Sequence, residues 1–83
     1  MNRTKILLFA SLRDRAGGKK FIELEMQDGM TVQSLKNRIG ELFPNLKASM
    51  QSVLVAVDRE YAMDELVLQP GMEVALFPPV SGG

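Results

Sequence analysis

The chain ends Pro78-Pro79-Val80-Ser81-Gly82-Gly83, and the group in it best placed for chemistry is the terminal carboxylate of Gly83. Glycine has no Cβ, so a Gly-Gly end carries its carboxylate on an unbranched arm that a narrow channel can enclose. The two prolines stiffen the approach and favour an extended path. A carboxylate is a poor electrophile, so acyl transfer from it needs a separate ATP-using enzyme that makes an acyl adenylate with AMP as leaving group. Sulfur delivered to that acyl carbon gives a thiocarboxylate, a transferable nucleophile that needs no cysteine on its carrier. The plain alternative is a frayed terminus, since two closing glycines also arise by chance.

The residues that are missing narrow the choice further. The sequence has no cysteine and no histidine, which removes disulfides, Ser-His and Cys-His nucleophiles, and thiolate or imidazole metal sites. Carboxylates, lysines and Tyr61 remain as acid-base candidates, and scattered Asp and Glu on a small domain are ordinarily solvated surface. A free-standing enzyme is therefore not expected, nor a bound metal or cofactor.

With 83 residues there is room for one small domain, and 46% apolar with 24% charged residues is the balance of an ordinary globular chain. No apolar run approaches the roughly 20 residues that span a bilayer. The stretch Ile6 to Ala10 is too brief for a signal peptide, so no membrane association and a cytoplasmic location are expected. The net charge of zero hides an asymmetry: residues 1–20 hold six basic side chains against Asp14 alone, leaving four basic and nine acidic for the rest. That basic end lacks the interleaved aromatic residues of a single-strand binder, and no nucleic-acid partner is expected.

Several elements must position the tail. Residues 4–10 and Phe21 to Met26 read as two strands of a hairpin, with Gly17-Gly18 supplying the freedom of the turn. Thr31 can cap a helix that carries Val32, Leu35, Ile39, Leu42 and Phe43 on one face and stops before Pro44. Ser34 stands where a full capping box would have Glu or Gln. About one helical turn is expected within Lys47 to Ser52, then a buried strand Val53 to Val57, a weak strand near Tyr61, and a last strand Glu73 to Phe77.

The order β-β-α-β-β-β predicts an α+β domain of the β-grasp (ubiquitin-like) type over residues 1–77, a mixed sheet of about five strands with one main helix on one face. Residues 78–83 would be an extended tail. If the first and last strands lie side by side, Ile6, Leu8, Val74 and Leu76 point one way, and Leu7, Phe9, Ala75 and Phe77 the other. One helix cannot cover both faces, so Phe9 and Phe77 form a candidate exposed apolar patch. The other reading is that both rings fold over the sheet edge or under a loop.

Taken together, Leu8-Phe9-Ala10-Ser11-Leu12-Arg13, Val55-Ala56-Val57-Asp58-Arg59-Glu60-Tyr61, Gly71-Met72-Glu73-Val74-Ala75-Leu76-Phe77 and the closing Pro78-Pro79-Val80-Ser81-Gly82-Gly83 resemble the small-subunit family of molybdopterin synthases. The middle, residues 30–51, agrees in pattern only. The resemblance implies a sulfur carrier whose terminal glycine is adenylated by an ATP-dependent, ubiquitin-activating-like (E1-like) enzyme and converted to a thiocarboxylate. It would then be inserted into the large synthase subunit, giving sulfur to cyclic pyranopterin monophosphate in molybdenum cofactor biosynthesis. It also implies a heterotetramer whose active site lies on the large subunit.

Residue by residue, the resemblance makes Gly83 the thiocarboxylate-bearing position. It puts Pro79, Val80, Ser81 and Gly82 in the partner's channel and Phe9, Arg13, Tyr61 and Phe77 on the face shared with both partners. Arg13 and Tyr61 rest on the resemblance alone, and ordinary strand packing is an equal reading for Tyr61. Met72 departs from the acidic residue common in that family, without evident consequence for a turn that depends on Gly71. Competing readings are a sulfur carrier for thiamin or tRNA thiolation, a ubiquitin-like protein modifier, and a plain binding module with an inert tail. Thiamin carriers lack the Pro-Pro step, and the tRNA type ends His-Gly-Gly.

Overall fold

Two strands that are far apart in sequence form the middle of the sheet. The computed structural model describes residues 3–79. Its elements are β1 (Arg3–Leu8), α1 (Ser11–Arg15), β2 (Phe21–Glu25), α2 (Val32–Leu42), β3 (Leu54–Val57), β4 (Glu60–Tyr61) and β5 (Val74–Phe77), with two 3₁₀ turns at Pro44–Leu46 and Ser49–Gln51. The strand order is β2-β1-β5-β3-β4. β1 and β5 run parallel, with Ile6 against Val74 and Leu8 against Leu76, while the other neighbours are antiparallel. This mixed five-stranded sheet with one main helix is a β-grasp fold.

Alternation along the strands divides the residues between two faces. On the helix side Ile6, Leu8, Val74 and Leu76 are fully buried, together with Val32, Leu35 and Ile39 of α2 and Leu46 beyond it. Burying each such side chain stabilises the domain by roughly 1.5–3 kcal/mol relative to exposure. α2 begins where expected: the Thr31 hydroxyl oxygen accepts the Ser34 N–H at 3.1 Å. The loop before β5 completes the cap, since Val32 N–H donates to Leu66 O and Gln33 N–H to Asp64 O, both at 3.0 Å. Lys36 holds Asp64 at 2.7 Å, so the loop and the helix are fastened together.

Three expectations need correction. The β1–β2 connection holds the short helix α1 as well as a glycine turn, because Leu12 is buried and draws the segment onto the core. β1 ends at Leu8, not residue 10, because Ala10 has φ 54° and ψ −132° and cannot continue a strand. Leu42 lies on the margin of the α2 stripe and is exposed, while Phe43 packs partly against the core. The helical turn expected within Lys47 to Ser52 is present as the 3₁₀ turn Ser49–Gln51, and a second such turn, Pro44–Leu46, precedes it. Met72, the departure noted above, packs against the core, and its sulfur accepts the Gln69 N–H at 3.3 Å.

Candidate functional site

The face without the helix is ordered in rows across the strands. Strand register aligns Phe21, Leu7, Ala75, Ala56 and Tyr61 as cross-strand neighbours over all five strands. Beside them, towards the end from which the chain leaves, Phe77 pairs in register with Leu54. Two alanines between larger side chains leave a shallow groove of about 320 Å³, lined by Leu7, Phe9, Ala56, Arg59, Tyr61, Glu73, Ala75 and Phe77.

One wall of the groove is an aromatic pair. The Phe9 and Phe77 rings stack with centroids 4.6 Å apart and planes 7° from parallel. Both are half-buried, partly because each covers the other, so the patch is a stacked pair and not two free rings. The Phe9 N–H donates to Leu76 O at 3.2 Å, which ties its backbone to β5. The turn at Ala10 then starts α1, and α1 returns Arg13 over the pair. The Arg13 Nε donates to Leu8 O at 2.7 Å, and its guanidinium carbon sits 5.2 Å from the centre of the Phe9 ring. A charged donor to a carbonyl and a cation over a ring face both hold Phe9 in place.

The opposite wall comes from the β3–β4 hairpin. Asp58 and Arg59 form its two-residue turn with φ 51° and 72°, values that residues other than Gly, Asn and Asp adopt at a cost. The Asp58 carboxylate accepts the Glu73 N–H at 2.9 Å, and the Asp58 N–H donates to Glu73 O at 2.8 Å. These bonds lock the turn that carries Arg59 to the groove. Tyr61 is 74% exposed, which sets aside the strand-packing reading of this residue.

The structure thus brings Phe9, Tyr61 and Phe77 to one groove, with Arg13 against its aromatic wall. Pro78 is half-buried and Pro79 exposed, directly after β5 and beside the Phe77 end of the groove. Val80, Ser81, Gly82 and Gly83 lie outside the described residues. Arg59 and Ala56 were missed from sequence. Ala56 could have been found, because a small residue in an otherwise large β3 marks a low point on whichever face it joins. Asp58-Arg59-Glu60 reads as a turn in the sequence, but nothing in its residue types shows that Arg59 reaches the groove.

Comparison with known proteins agrees with the fold. Residues 6–83 match the ThiS family. The chain belongs to the ThiS family. Among curated relatives of this ThiS-family chain, the molybdopterin synthase sulfur carrier subunit of Arabidopsis thaliana is 35% identical over 79 residues, covering 95% of this chain and 81% of that protein. The subunit of the same name from Mycobacterium tuberculosis is 32% identical over 83 residues and covers 100% of both chains. Among solved structures, small archaeal modifier protein 1 of Haloferax volcanii superposes with a TM-score of 0.83 at 27% identity, over 98% of this chain and 99% of that one. A ubiquitin from Caldiarchaeum subterraneum shares the fold at 17% identity, with a TM-score of 0.68 over 99% of this chain and 98% of that one.

Proposed function

We propose that this chain is the sulfur-carrier subunit of a molybdopterin synthase. Its likeness to sulfur carrier subunits over essentially the whole chain carries this reading, supported by a Phe-Pro-Pro-Val-Ser-Gly-Gly ending that follows directly from a central strand. In this reading an E1-like enzyme uses ATP to adenylate the Gly83 carboxylate, releasing pyrophosphate. A sulfur nucleophile then attacks the acyl carbon, AMP departs, and the thiocarboxylate remains. The tail Pro79-Val80-Ser81-Gly82 enters a channel of the large subunit, where Gly83 gives sulfur to cyclic pyranopterin monophosphate, and two rounds complete the dithiolene.

The acid-base groups for that step belong to the large subunit, in keeping with a carrier that has no histidine or cysteine. The carrier itself binds no cofactor, acts in the cytoplasm, and joins a heterotetramer built on a large-subunit dimer. Phe9, Arg13, Tyr61 and Phe77 supply the surface over which both partners dock in turn. Small residues at the groove floor admit an apolar side chain from a partner, and the stacked rings give that side chain a rigid wall.

Intact mass spectrometry after co-expression with the adenylating enzyme and a sulfur source tests the carrier chemistry. The expected outcome is a gain equal to one oxygen replaced by sulfur, on the full chain and not on a variant lacking Gly83. No gain in the presence of active adenylating enzyme overturns it.

A second reading is a protein modifier, favoured by the similarity to small archaeal modifier protein 1 at 27% identity. The same adenylate can pass to a lysine amine in place of sulfur. Isopeptide-linked adducts in cells that disappear with Gly83 would establish that activity.

A further inference from the structure

We propose that copies of this chain associate head to tail, with the basic β2 edge of one against the acidic β4 edge of the next. This proposal is independent of the sulfur-carrier reading and concerns the two ends of the sheet, β2 and β4, which among the described residues have no neighbouring strand on their outer sides.

Three observations converge on those edges. The six large hydrophobic side chains left exposed among the described residues are Phe21, Leu42, Tyr61, Met63, Leu66 and Val67. Phe21 and Leu42 flank two depressions at the β2 end, which Lys19 and Phe43 join into one strip. Tyr61, Met63 and Leu66 flank a depression at the β4 end. Met63 is 76% exposed on a loop whose backbone is pinned to α2 by the two capping bonds and the Lys36–Asp64 ion pair, so this apolar surface is held in place.

The charges at the two ends are opposite. Residues 15–21 carry Arg15, Lys19 and Lys20 and no carboxylate, whereas residues 60–67 carry Glu60, Asp64 and Glu65 and no cation. Asp64 is engaged by Lys36, but Arg15, Lys19, Lys20, Glu60 and Glu65 make no ion pair among the described residues. Glu23 lines the same depression as Lys19 and Lys20, but it and Glu25 stand in register with Lys5 and Arg3 on the open face, so the β2 end keeps an excess of basic side chains. Edge lysines repel a second copy of the same edge. They therefore oppose a β2-on-β2 contact while favouring β2-on-β4. Zero net charge removes the overall repulsion that keeps many proteins apart.

The backbone is also suited to such a contact. Leu8 N–H donates to Lys20 O, so residues 20, 22 and 24 face β1 and the N–H and C=O groups of Phe21, Glu23 and Glu25 turn outward. Ala62 N–H donates to Val55 O, which turns the Tyr61 backbone groups away from β3. Because the two contacting surfaces differ, each added copy leaves one of each edge free, and the assembly grows with concentration.

Sedimentation velocity of the full chain tests this in about 20 mM and about 0.5 M salt, where charge screening differs strongly. The expected result is an average mass that rises with concentration to two or more chains at low salt and falls back to one at high salt. The paired reversals K19E/K20E and E60K/E65K alter exposed side chains only, so folding is expected to persist and is checked by circular dichroism. Each variant alone should stay a single chain, and an equimolar mixture should regain association. A chain that is monomeric at high concentration in low salt overturns the proposal. So does association that survives both reversals and is lost in Phe77→Arg, which would place the contact on the open face.

Discussion

The two faces of the one sheet use the same alternation of side chains to opposite ends. On the helix side, Ile6, Leu8, Val74 and Leu76 are aliphatic, fully buried and packed against α2. On the open side the in-register positions hold Leu7, two alanines and Tyr61, with stacked phenylalanines beside them. The first face gains its free energy when the chain folds. The second keeps part of its apolar area in reserve, shaped by a turn at Ala10, a bond from Arg13 and a locked hairpin at Asp58. The buried core and the proposed recognition surface are thereby separated by a single step along the strand.

Neighbouring substitutions in β5 give the widest test of that separation. Leu76→Ala should lower the unfolding free energy by about 2–5 kcal/mol, the usual cost of emptying a fully buried site, as read by denaturant titration. Phe77→Arg, one residue on, should keep the fold while weakening partner binding by on the order of 100-fold in Kd, measured by calorimetry. If Phe77→Arg unfolds the domain as Leu76→Ala does, the open face is core and the contrast fails. Arg13→Lys keeps the charge but loses the Nε donor to Leu8 O, so a stability loss of about 1 kcal/mol is expected, with a several-fold loss of binding as Phe9 loosens. The smallest effect is expected for Ala10→Gly, which relieves an unfavourable backbone conformation and should stabilise the fold by about 0.5–1 kcal/mol in thermal unfolding.

Period-two alternation made the β1 and β5 faces legible, because each strand is long enough to show it and the two lie in register. The same parity selected Phe9 and Phe77 before any contact was known. α1 escaped notice because five residues are too few to display a helical period, and what holds it is one buried leucine and a carbonyl bond from Arg13. Leu42 was misplaced because it is the last residue of α2, on the margin of the apolar stripe, and spacing alone does not show how far the core extends beneath a helix. The turn cation Arg59 reaches the groove through a backbone conformation that its own sequence does not advertise. Local pattern reveals which side of an element is apolar, whereas the furniture around a site depends on contacts between distant segments.

The insertion of β5 between β1 and β3 also orders events during synthesis. Until β5 has left the ribosome, the β1–β2 hairpin and the β3–β4 hairpin lack the strand that joins them, and the pairing of Ile6 with Val74 spans most of the chain. Such distant contacts form late in folding. A product that stops before β5 therefore lacks both the strand that joins the two hairpins and the side chains of Ala75 and Phe77 that line the open-face groove.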